Sequence, residues 1–121
     1  MNFDNIIEYE GNRNILKSYL SDKYDIGIYE FLLLLRVCEL KREHITLKEL
    51  KEVCTVDLPI SPVISKLVSL KYFDKERLEE DERMVRVYNI DYFKIEDLIE
   101  NIERFIYLSS KSSKSMVNNW T

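Results

Sequence analysis

Ser61-Pro62-Val63-Ile64-Ser65-Lys66-Leu67-Val68-Ser69-Leu70-Lys71, then Tyr72-Phe73-Asp74-Lys75-Glu76-Arg77, a polar run from Leu78 to Arg83, and Met84-Val85-Arg86-Val87-Tyr88-Asn89-Ile90 make up the stretch on which the fold turns. Ser61 suits a helix cap. Pro62 suits the first helical position, where its missing amide proton leaves nothing unsatisfied. The pattern predicts a helix from there to about Lys71, with Ile64, Leu67, Val68 and Leu70 turned inward and Ser61, Ser65, Lys66 and Ser69 on a small, polar face. The two segments that follow have β character. Val85 and Val87 alternate onto one face, and the polar run joins the segments into a two-stranded hairpin. Such a hairpin is stable only against helices.

Working outward, Thr46-Leu47-Lys48-Glu49 reads as a capping box, the Thr46 hydroxyl accepting from the Glu49 amide while the Glu49 carboxylate reaches back. It opens a short helix that ends near Cys54, with Leu47, Leu50, Val53 and Cys54 in one apolar stripe. From Ile28 to Leu40 apolar residues occur almost all round, which predicts a helix buried on most sides. Residues 2 to about 21 read as a first helix interrupted by Gly11, and Asp91 can cap a last one whose stripe is Ile95, Leu98, Ile99, Ile102, Phe105 and Ile106. We therefore expect a mainly α fold with a small β-hairpin wing, a winged helix-turn-helix. Residues 1–110 form one such domain with terminal dimerisation helices, and 111–121 a flexible polar tail.

Composition closes off other classes. The chain has 121 residues and two each of Gly, Pro and Cys, with a single His. Two glycines cannot build a phosphate-cradling loop. One histidine and two distant cysteines, Cys38 and Cys54, do not make a zinc site. No apolar run is long enough for a membrane span, and the N-terminus lacks a signal pattern. The expectation is a cytoplasmic protein with reduced thiols, no metal, no cofactor and no membrane association. Glu79, Glu80, Asp81 and Glu82 are adjacent on a turn with no base or nucleophile converging on them, so no enzyme is expected. The net charge is −4, but most of the excess acid lies in the first 35 residues, and residues 61–86 are neutral.

In a winged helix-turn-helix the second short helix enters the DNA major groove and the hairpin lies over the backbone or minor groove. The segment Lys66 to Ile90 resembles the wing region of the MarR superfamily. Its Asp81-Glu82-Arg83 triplet followed by a β run is similar to the staphylococcal accessory regulator (Sar) branch, as are Ile28-Tyr29-Glu30-Phe31 and Thr46-Leu47-Lys48-Glu49-Leu50. The resemblance covers about residues 20–107. It implies a transcription regulator of AT-rich promoters, with virulence-type gene control, paired through its terminal helices as a homodimer or as a heterodimer with related regulators. Two departures stand out. Leu78 occupies a place that is commonly polar in the family. The first helix also lacks the cysteine that some members use for redox sensing, so thiol sensing is not carried over.

The resemblance and the element order together nominate a DNA-binding set. Arg83 would insert at or beside the minor groove, where narrow AT-rich DNA concentrates negative potential. Asp81 would orient Arg83 by a charge-assisted bond, and Glu82 would accept from an amide in the turn. Lys75 and Arg77 would contact phosphates, and the hydroxyls of Ser61, Ser65 and Ser69 with Lys66 would reach phosphate or base edges. The competing expectation is a winged-helix module that binds another regulator rather than double-stranded DNA, motivated by the acidic total and neutral wing.

Overall fold

The computed structural model describes the backbone of residues 3–54, 59–77 and 85–119, and the side chains of 13–54, 59–77 and 85–108. Its elements run α1 (Phe3–Tyr24), α2 (Ile28–Leu40), β1 (Ile45–Thr46), α3 (Leu47–Val53), α4 (Ile60–Ser69), β2 (Asp74–Arg77), β3 (Val85–Tyr88) and α5 (Tyr92–Asn119). This is the mainly helical winged architecture expected. The core is built around α2, which packs on α3, α4 and α5 and buries Phe31, Leu33, Leu34 and Val37. Its near-continuous apolar text is explained by having helices on several sides. Ile60, Val63, Ile64 and Leu67 of α4 and Ile95, Leu98 and Ile102 of α5 complete that core, with Val87 and Ile45 entering from the sheet.

Helix ends differ from the sequence expectation in instructive ways. The helix α4 begins at Ile60 after Pro59, so Ser61 is not its cap and Pro62 stands at the third position. The Val63 amide donates to the Pro59 carbonyl at 3.2 Å. Pro62 thus occupies the last place in the turn where no amide proton is needed, and starting two residues earlier buries Ile60. At its other end α4 stops at Ser69. Lys71 adopts a left-handed conformation (φ 66°). Its amide donates to the Val68 carbonyl at 3.0 Å and the Tyr72 amide donates to the Leu67 carbonyl at 3.1 Å, a Schellman closure. The ammonium of Lys94 donates to the Leu70 carbonyl at 2.5 Å while lying 4.3 Å over the Tyr72 ring, which ties α5 to the end of α4. Asp25 and Lys41 are also left-handed, at the ends of α1 and α2.

Two more boundaries move outward. The first helix runs through Gly11 to Tyr24. The last does not leave its helix at residue 110, because the serine-rich segment continues it to Asn119. Between Tyr92 and Asn119 there is no Gly or Pro, and serine is a mediocre helix former rather than a breaker. Asp91 is the cap expected, accepting from the Lys94 amide at 3.1 Å.

The wing has three strands rather than two. The order is β1-β3-β2, antiparallel throughout, with Ile45 opposite Val87 and Thr46 opposite Arg86. On the other side Lys75 faces Val87, Glu76 faces Arg86 and Arg77 faces Val85. Tyr72 and Phe73, expected in the first strand, precede it as buried anchors. Thr46 caps α3 through its hydroxyl, which accepts from the Glu49 amide at 3.1 Å. The reciprocal half of the box is replaced, since the Glu49 carboxylate pairs with Arg42 and the Thr46 backbone belongs to the β1–β3 ladder.

Candidate nucleic-acid interface

The outward face of α4 carries Ser61, Pro62, Ser65 and Ser69, all exposed. The serines are four residues apart and so lie in one row. Small side chains along such a row let a helix approach another surface closely. The hydroxyl of Ser69 is turned back, donating to the Lys66 carbonyl at 2.6 Å. The hydroxyl of Ser65 accepts from the Lys75 ammonium at 3.0 Å. This bond bridges α4 to β2 and sets the first wing cation beside the helix row.

Register decides where the wing cations point. Cross-strand partners share a face, so Lys75 and Arg77 lie on the side of Val87 and Val85, toward α4. With Ser61, Glu76 and the apolar Leu47, Ile64 and Val85, they line a cleft of about 270 Å3 between helix and wing. Glu76 and Arg86 are paired with each other across the strands. Lys66 is brought elsewhere. It sits at the flank of the serine row, and its ammonium is 3.3 Å from an Asp25 carboxylate oxygen at the end of α1. Asp81, Glu82 and Arg83 lie outside the described residues. The structure therefore brings together Ser61, Ser65, Lys75 and Arg77, keeps Ser69 in the same row, and diverts Lys66. Asp25 and Glu76 are neighbours that the sequence did not reveal, because only the α1–α2 corner and the strand register place them there.

His44 is exposed and stacks on Tyr88, with ring centroids 6.4 Å apart. Among the described residues no group of three or more His, Cys, Asp or Glu side chains is placed to hold a metal, and no helix is long and apolar enough to cross a membrane. Cys38 and Cys54 are free and half-buried. Burial pushes both thiols above their ordinary value, against smaller opposite effects from Lys41 and Arg36 respectively. The thiolate is the reactive form. Both cysteines should therefore react with a disulfide reagent at pH 7 more slowly in the folded chain than in the urea-unfolded chain. A rate in the native protein equal to the unfolded rate would contradict this burial.

A pair of short helices, the second with an open polar face, followed by an antiparallel ribbon leaning over that face, defines a winged helix-turn-helix protein. A family model described as transcriptional regulator SarA/Rot matches residues 15–102, and the chain belongs to that family. No curated protein matches it. Among solved structures, reduced AbfR bound to DNA aligns with 16% identity over 96% of this chain and 89% of that one, TM-score 0.65; AbfR is from Staphylococcus epidermidis. A MarR transcriptional regulator from Methanosarcina mazei Go1 aligns with 22% identity over 93% and 84%, TM-score 0.64. Sco3205, a MarR family regulator from Streptomyces coelicolor in complex with DNA, aligns with 14% identity over 97% and 79%, TM-score 0.64. At these identities the likeness establishes the fold.

Proposed function

We propose that the chain is a DNA-binding transcriptional regulator that acts as a homodimer on AT-rich promoter DNA, in virulence-type gene control in the cytoplasm. One observation carries this reading. The exposed serine row of α4 and the wing cations Lys75 and Arg77 are joined by the Lys75–Ser65 bond into one continuous polar surface. Ser61 and Ser65 lead α4 into the major groove, and Lys75 and Arg77 meet the phosphates beside it. Lys66 and Ser69 flank the groove at its far end. Asp81, Glu82 and Arg83 complete the set in this reading, with Arg83 meeting the minor groove and Asp81 orienting it. AbfR and Sco3205, which share the fold, have been captured on DNA, which supports the reading.

Dimerisation is supported by the uncovered end of the α5 stripe. Ile95, Leu98 and Ile102 fill the chain's own core, whereas Ile106 and Leu108 are about half exposed. Phe105 stacks on Tyr19 of α1 at 3.8 Å between centroids, and Ile15, one turn before Tyr19, is 48% exposed. The two terminal helices thus share an apolar surface that a second copy can cover. A related family member could take the place of the second copy.

Fluorescence anisotropy with an AT-rich duplex at several salt concentrations tests the reading. Affinity should fall steeply with salt, the logarithmic slope being about −0.9 for each phosphate neutralised. Arg83→Ala should weaken binding by about 1–3 kcal/mol with an unchanged melting temperature, and equal affinity would remove Arg83 from the interface. A second reading, a winged helix that binds another regulator, is favoured by the pairing of Lys66 with Asp25 and of Arg86 with Glu76. Absence of duplex binding at about 50 mM salt, the permissive end of the range, would select it.

A further inference from the structure

Between Pro59 and Ser69 the chain has a single cation, Lys66. The charge that α4 presents therefore depends on what Lys66 is doing. Its partner Asp25 is 41 residues away in sequence, on the corner between α1 and α2. That corner is well defined. Asp25 is left-handed (φ 56°), its amide donates to the Ser21 carbonyl at 3.1 Å, and the next residue, Ile26, is buried. The carboxylate is thus presented from a fixed backbone rather than from a wandering loop.

The pair is open to water, with side chains 39% exposed for Lys66 and 76% for Asp25. An ion pair of this kind is weak, so a polyanion can displace it. A buried pair would remove the cation from use altogether. Lys75 offers the contrast, since its partner Ser65 is neutral and does not compete electrostatically with a phosphate.

We propose that Asp25 is an internal competitor for DNA: in the free chain its carboxylate occupies Lys66, and binding exchanges that carboxylate for a backbone phosphate. The inference rests on the DNA-binding reading and deepens it, because it names the residue that restrains affinity at the α4 surface. The exchange leaves Asp25 uncompensated in the complex. Removing its charge therefore strengthens binding without adding any contact.

Asp25→Asn is a clean probe. Asparagine tolerates the left-handed conformation as well as aspartate does and loses only the charge, and Asp25→Ser provides a second uncharged variant if the corner is disturbed. Affinity for one AT-rich duplex is measured by anisotropy over a salt series for the full-length wild type, D25N, K66Q and the double variant, with melting curves as a check on folding. D25N should bind roughly two- to fivefold more tightly at low salt, the size of one exposed ion pair, with a slope steeper by up to about 0.9. K66Q should bind more weakly than wild type, and the D25N gain should vanish in the K66Q background. Unchanged or weaker binding by D25N would overturn the proposal. So would a gain that persists in K66Q, which would mark a general charge effect. If wild type and D25N both fail to bind duplex at low salt, the regulator reading itself falls and takes this inference with it, a result distinct from binding that ignores Asp25.

Discussion

Replacing Phe73 with alanine is expected to lower the unfolding free energy by about 3–5 kcal/mol, the usual range for deleting a fully buried aromatic ring. Phe73 is 2% exposed and heads the large side chains sealed in the core. It sits between the Schellman closure of α4 and Asp74, the first residue of β2. Its ring therefore anchors the junction from which the wing departs. The loss should appear in urea unfolding as a lower midpoint with an unchanged slope. Phe73→Leu, which keeps more of the volume, should lose much less. A change below about 1 kcal/mol in the alanine variant would mean that the site collapses onto the space or that the ring is not packed as described. There is a functional corollary. At temperatures where the variant is still folded, the position of Lys75 beside Ser65 loosens, and duplex affinity falls along with stability.

The second large effect concerns assembly. If the chain pairs as proposed, wild type should run at twice the chain mass in light scattering, and Ile15→Glu combined with Ile106→Glu should reduce it to 14.6 kDa, the mass of one chain. Both residues are 48% exposed in the isolated chain, so charging them places carboxylates in the surface that pairing would bury, and a melting curve checks that the variant remains folded. A dimer engages two half-sites with one binding event made intramolecular. Its loss should reduce affinity for a two-site duplex by about 10²–10⁴, with little change for a single half-site. A double variant that still runs at twice the chain mass would show that the terminal helices are not the pairing surface.

Much of the architecture was legible because it depends on local signals. The α2 helix announces itself by apolar residues on every side, α3 by Thr46 with Glu49, and α5 by Asp91 and a stripe at helical spacing. The helices α1, α2 and α4 end beside Asp25, Lys41 and Lys71 in left-handed conformations. Gly, the usual marker of such endings, is absent from those positions, so the ends of α1 and α4 carry no local stop signal. The start of α4 lies two residues before the expected one because Ser61-Pro62 is an ordinary helix opening, whereas burial of Ile60 is a tertiary fact. Strand β1 escaped notice for a related reason. Two residues carry no alternation, and Ile45-Thr46 becomes a strand only because β3 lies beside it.

The site divides in the same manner. The serine row follows from four-residue spacing on a helix. Lys75 and Arg77 could be assigned to one strand face, but which way that face points is set by the pairing of Lys75 with Val87 and Arg77 with Val85. Lys66 looked equivalent to its serine neighbours in a linear reading. Its engagement by Asp25 depends on how the α1–α2 corner packs against α4, and no local pattern encodes that.

Thr46 belongs at once to the ladder with Arg86 and to the cap of α3. A displacement of β1 is consequently felt, through one residue, at the first turn of the helix that follows it. Strand pairing and helix capping therefore meet at one position, and a substitution at Thr46 disturbs both at once.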